Sequence, residues 1–176
     1  LAEAYLWNPL PLRDVMLRAV KTAKDAGMKT ALTLSDAGCI QNCRAEILPF
    51  LIDQIDIIVG NEAEITCLYN TDFDQAVSLA QEHFEVAALT KGNRGSILTT
   101  NGETFEIETT SVTEVVDTTG AGDIYASGFF YGLIQKYDFP TIGKIASTTA
   151  SEIITHIGSR PERSLAKLIE KKVKNN

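Results

Sequence analysis

Short β-rich runs alternate with helical segments through the first half of this chain, and that order leaves few folds open. Ala2–Leu6, Thr30–Leu34 and Asp56–Val59 read as strands. Between them stand two helical segments. Leu12–Ala26 carries apolar residues at helical spacing and stops at Gly27, and Asn42–Asp53 contains Pro49 as a break or kink. Two shorter helices follow at Glu62–Tyr69 and Asp74–His83, with Thr71 or Asp72 as the cap of the second. Strands separated by helices need crossovers, so they lie parallel with helices on both faces.

The rhythm then changes. Val86–Leu89 and Ser96–Thr100 flank a Gly-rich turn, and Asn101-Gly102 signals a hairpin into Thr104–Ile107. Val112–Val116 reads as one more strand. From there the chain is mostly helical, at Ile124–Lys136, Pro140–His156 and Arg163–Lys174. The expected fold class is therefore α/β: a mostly parallel sheet flanked by helices on both faces, with an antiparallel edge. In such sheets ligands gather at the carboxyl ends of the strands.

Composition narrows the function classes. A formal charge of −7 over 176 residues argues against a nucleic-acid partner, whose phosphates need a basic face. No apolar run approaches the ~18 residues of a membrane span. Cys39, Cys43 and Cys67 stand at no zinc-ligand spacing from His83 or His156. Three thiols and no secretory signal suggest a cytoplasmic setting. The chain opens at Leu1 without an initiator Met, which suggests a fragment or a processed chain.

The most informative stretch is Asp117-Thr118-Thr119-Gly120-Ala121-Gly122-Asp123, joining the last strand to a long helix. Small residues let backbone N–H groups crowd around an anion at a helix N-terminus. No Lys-Ser or Lys-Thr follows, so this is not a Walker A loop. Tyr125 stands where a dinucleotide fingerprint needs its third glycine, which argues against a nicotinamide oxidoreductase. Asp123 can complement the helix dipole, or act as the base for a hydroxyl attacking a phosphoryl group.

The DTTGAGD string resembles the signature of the PfkB, ribokinase-like sugar and nucleoside kinases. The resemblance implies Asp123 as catalytic base and Gly120, Ala121 and Gly122 as the anion hole. Asn61-Glu62-Ala63-Glu64 matches the family's N-x-x-E pattern. Read alone, Asn61 and Glu64 are an N-cap and its capping-box partner. The resemblance makes Glu64 an organiser of Mg²⁺, largely through water, with Asn61 near the nucleotide phosphates.

Thr90-Lys91-Gly92-Asn93-Arg94-Gly95-Ser96 matches a T-x-G and Gly-Ser segment. It implies ATP contacts at Thr90 and Gly92, and an obstruction if Gly95 carried a side chain. Ser147 is implied in the adenine pocket. Family members activated by K⁺ would hold it near Asp117, Thr119 and the Ile153–Arg160 segment.

The resemblance covers the chain but only the C-terminal half of the family. The ATP-binding part is expected over residues 1–176, without the part that supplies sugar contacts and a lid that mediates dimers. The implied activity is phosphoryl transfer from ATP to a primary hydroxyl of a nucleoside or sugar. Thr33-Leu34-Ser35-Asp36 resembles an L-S-D segment of bacterial family members named adenosine kinases or sugar kinases, and that likeness tilts the implied acceptor towards a nucleoside, adenosine-kinase-like chemistry being favoured. Ribokinase- or fructokinase-like chemistry, or a nucleotide-binding fragment without turnover, are the alternatives.

Overall fold

The computed structural model describes residues 1–174. Six strands lie in one sheet in chain order: β1 (Ala2–Glu3), β2 (Ala31–Thr33), β3 (Ile57–Asn61), β4 (Val86–Thr90), β5 (Ser96–Thr100) and β6 (Glu103–Ile107). β1 pairs with β2 in parallel, Ala2 opposite Leu32, and β2 with β3, Leu32 opposite Ile58. The expected Ala2–Leu6 strand is only two residues long, because Ala4–Trp7 turns into a 3₁₀ helix. β5 and β6 are neighbours joined only by Asn101-Gly102, so they run antiparallel, and Asn101 takes the left-handed φ of 47° that such a turn requires. The fold is the α/β class with a mixed sheet.

The chain divides into two compact units, residues 1–89 with 99–104, and residues 90–98 with the chain from Phe105 onward. The first unit carries α1 (Leu10–Asp25), α2 (Ala37–Gln54), α3 (Glu62–Tyr69) and α4 (Phe73–His83). Helix α2 begins five residues before the expected Asn42, because the Asp36 carboxylate accepts from the Cys39 N–H at 2.7 Å and caps it there. The helix runs on through Pro49. Leu32, Ile40, Ile47, Leu51, Ile58, Ile65 and Leu68 form a fully buried apolar core. Trp7 is 5% exposed, its ring centroid 5.1 Å from that of Phe50, with the Arg13 guanidinium 4.7 Å above it.

The second unit is built on α5 (Ala121–Ile134), α6 (Phe139–Ile153) and α7 (Leu165–Lys174). α5 meets α6 along glycines. A Cβ on Gly128 would lie 2.9 Å from the Ala146 Cα, and one on Gly132 would lie 3.2 Å from the Ile142 Cα. The two helices therefore approach closely, and the Thr149 and Ile142 side chains of α6 fill the space a side chain on either glycine would need. α6 ends three residues before the expected His156, freeing Ile154–His156 for a loop.

Val112–Val116, expected as a strand, is not one. Its surroundings hold the chain by isolated bonds rather than a ladder: the Thr110 N–H donates to Ser147 Oγ at 2.8 Å and the Val116 N–H to the Ile154 carbonyl at 2.8 Å. No helix among the described residues is long and apolar enough to cross a membrane.

Candidate active site

Helix α5 opens on Gly120, whose φ of 80° and ψ of 0° are left-handed and favour a residue without Cβ. A Cβ there would also stand 2.8 Å from the Ser159 Cβ. No side chain caps this helix. The Ala121 N–H is taken by the Thr118 carbonyl at 3.1 Å. The N–H groups of Gly122 and Asp123 find no acceptor among the described residues. These are the donors left over at any helix start, and the helix dipole adds to their pull on an anion. Asp123 stands in the same first turn, its side chain exposed.

Beside this helix start lies a cavity of about 520 Å³, formed within the second unit. Ala121 and Gly122 form part of its wall. Thr90 ends β4, Gly92 and Gly95 come from the turn after it, and Ser147 from α6. Val112, Val115, Ala150 and Ile154 give it apolar walls, and Thr109, Thr110, Ser111 and Ser151 add hydroxyls. Six residues singled out from the sequence thus meet in one cavity. Ser147 is already engaged, its Oγ accepting from the Thr110 N–H. Gly95 is fixed by its own neighbourhood: φ is 86°, and a Cβ would meet the Ile107 carbonyl oxygen at 2.0 Å.

One brace across the cavity floor was not read from the sequence. The Tyr125 hydroxyl donates to Ser96 Oγ at 2.7 Å, and both residues are buried. Burial pushes the Tyr125 phenol up to about 12, so it stays a donor. The sequence showed only an aromatic two residues past Asp123; its partner, 29 positions away, needed the fold.

Asp117 and Thr119 form a second cluster. Asp117 Oδ1 accepts from the Thr119 N–H at 2.9 Å, and Oδ2 from the Gly158 N–H at 3.0 Å. The bonds from Gly158 and then Thr119 hold its carboxyl down at about 2.

Asn61 and Glu64 belong to the first unit and form a complete capping box at the start of α3. Asn61 Oδ1 accepts from the Glu64 N–H at 3.0 Å; Glu64 Oε2 accepts from the Asn61 N–H at 2.9 Å and Oε1 from Asn61 Nδ2 at 2.7 Å. Burial raises the Glu64 carboxyl above the usual range; the Asn61 bonds oppose this, and the charges of Asp36 and Glu3 add to it. Burial is the larger cause; the Asp36 and Glu3 charges are the part of the shift that a nearby cation would offset. Each Glu64 oxygen has one partner from Asn61, leaving a lone pair for water around a metal. No cluster of three or more metal-ligating side chains occurs among the described residues. The donor set therefore suits a hydrated hard cation rather than a stripped one.

The chain matches the pfkB family carbohydrate kinase profile over residues 5–165. It belongs to the PfkB family. Two solved PfkB-like structures superpose on 96% of the chain at a TM-score of 0.92. They are a probable sugar kinase from Rhizobium etli CFN 42, 34% identical, and an adenosine kinase from Sinorhizobium meliloti, 36% identical. A nucleoside kinase from Methanocaldococcus jannaschii is 28% identical over 138 residues, 77% of this chain. The chain spans about half the length of these relatives, 52% of the two structures and 44% of the nucleoside kinase. The α/β architecture is the ribokinase-like fold of these neighbours.

Proposed function

We propose that this chain is the C-terminal, nucleotide-binding part of an ATP-dependent kinase that phosphorylates a primary hydroxyl of a nucleoside or sugar, adenosine being the favoured acceptor. The observation that carries this reading is the uncapped start of α5, with free N–H groups at Gly122 and Asp123 beside a cavity of about 520 Å³. The apolar walls suit a purine face, and the hydroxyls its polar edge. The phosphates then run towards Gly122. The free N–H groups hold the oxygens of the transferring phosphoryl group, where charge accumulates in the reaction.

In this reading Asp123 takes the proton of the acceptor hydroxyl as that oxygen attacks the γ-phosphorus. The P–O bond to ADP breaks in line with that attack, and the proton leaves with Asp123. Mg²⁺ held through water by Glu64 and Asn61 would neutralise phosphate charge. Asp117 and Thr119 hold the other end of the anion-hole turn, and K⁺ between them and the 153–158 loop is the finer part of this reading. Acceptor recognition, a lid-mediated dimer and a cytoplasmic setting belong to the whole protein and stay part of the proposal.

The test is ADP release by the full-length gene product with Mg²⁺·ATP, with and without K⁺, across a panel of nucleosides and sugars. Asp123→Asn should lower turnover by ~10²–10⁴-fold while ATP still binds. Adenosine-dependent release fixes the acceptor. Release with a sugar keeps the mechanism and changes the acceptor, and unchanged turnover in Asp123→Asn removes Asp123 as base. ATP bound without release for any acceptor favours a binding fragment without turnover.

A further inference from the structure

Glu152 closes the last turn of α6, and its side chain is 3% exposed. Its Oε1 accepts two backbone bonds from far along the chain, from the Glu162 N–H at 3.0 Å and the Arg163 N–H at 2.8 Å. Its Oε2 is shut away from solvent without a partner. His156 Nε2, one turn later, is also buried and makes no hydrogen bond, lying 3.5 Å from Glu152 Oε1. A buried carboxylate is a costly way to hold two N–H groups unless the segment it holds matters.

That segment is the loop 154–163, which backs the start of α5. Three attachments join it to the anion-hole turn. The Ile154 carbonyl accepts from the Val116 N–H at 2.8 Å. The Gly158 N–H donates to Asp117 Oδ2 at 3.0 Å. Ser159 packs so closely on Gly120 that a Cβ on the glycine would lie 2.8 Å from the Ser159 Cβ. The near end of the loop is continuous with α6. Its far end is pinned by Glu152. Released there, the loop would lose the anchor at its far end while keeping the contacts of Gly158 and Ser159 with Asp117 and Gly120 as its remaining attachments.

We infer that Glu152 is a positioning residue for the anion hole: by clamping residues 162 and 163 it holds the 154–163 loop against Asp117 and Gly120, and so sets the Gly122 and Asp123 N–H groups that receive the terminal phosphate. Glu152 reaches no cavity-facing phosphate donor itself and acts through Gly158 and Ser159. This rests on the nucleotide reading above.

The experiment measures binding of ATP and AMP by calorimetry to the full-length gene product and its variants. Glu152→Ala should weaken ATP by about tenfold and leave AMP within about twofold. Glu152→Gln keeps an oxygen that accepts both N–H groups, and should restore the ATP-over-AMP preference to within about threefold of wild type. If Glu152→Ala does not fold, Ser159→Val on the exposed side of the same loop carries the test, with the same selective loss of ATP expected. Equal weakening of both nucleotides, or no weakening of either, overturns the inference while leaving the nucleotide site in place. A wild-type protein that binds neither nucleotide overturns the site reading and this inference together.

Discussion

Two helix starts in this protein solve the same problem in opposite ways. At α3, Asn61 and Glu64 bond each other's backbone N–H groups and close the end with side chains. At α5, Gly120 has no side chain to offer, and the Gly122 and Asp123 N–H groups are left without a protein acceptor. α2, α4 and α6 follow α3, with Asp36, Asp72 and Asp138 as caps. Every helix start carries unsatisfied donors. α1, which opens on Pro9, has no side-chain cap either, so an open start is not by itself a site; what sets α5 apart is the cavity beside it.

The strongest way to break this contrast is to fill the open end. Gly120→Ala forces a side chain into a left-handed backbone and against Ser159. It should cost ~1–2 kcal/mol of stability for the conformation alone, and ATP binding should fall by at least about tenfold. Calorimetry and denaturant unfolding measure the two effects. Retained ATP affinity would show that the donors at α5 do not hold phosphate.

Opening the closed end is the converse. Asn61→Ala removes the cap and one bond to a buried carboxylate, and should destabilise by ~1–2 kcal/mol in chemical denaturation. A loss under ~0.5 kcal/mol would mean that the box adds little beyond ordinary helix fraying.

A subtler change leaves both ends intact and loosens the brace behind the open one. Tyr125→Phe strands Ser96 Oγ and should cost ~1 kcal/mol. ATP affinity should move less than in Gly120→Ala, and a larger change would make this bond part of the cavity's recognition.

The smallest effect is one of pH. The folded Asp117 carboxyl sits at about 2, below its unfolded value of ~3.9. Its contribution is therefore complete above the unfolded value and disappears as pH falls through the folded one. Unfolding midpoints of wild type and Asp117→Asn should differ near neutral pH and converge towards pH ~2. A gap that ignores pH would place the effect in packing rather than charge.

Much of this contrast was legible in the residues. Asn61 and Glu64 at capping-box spacing, Gly120-Ala121-Gly122 before a helix and Asn101-Gly102 between strands are local signals, and local hydrogen-bond rules decide them. What stayed hidden depends on partners far along the chain. Val112–Val116 has strand composition, yet its Val116 N–H goes to Ile154 and its neighbour Thr110 to Ser147. The Asp36 cap of α2 was obscured by Gly38 in the first turn. The Tyr125–Ser96 bond and the Glu152 clamp join segments that share no pattern. Ala121, expected among the donors, has its N–H engaged by Thr118, and the free donors lie one and two residues on.

Trp7 is the chain's single tryptophan, sealed between Phe50 and Arg13 in the first unit. The cavity, in the second unit, has tyrosine but no tryptophan. Intrinsic emission excited at the red edge of the indole band is thus a reporter of one half of the molecule. A nucleotide that shifts the calorimetric melt without changing that emission marks ligation in the silent half, and the two signals together make a two-channel readout that needs no dye.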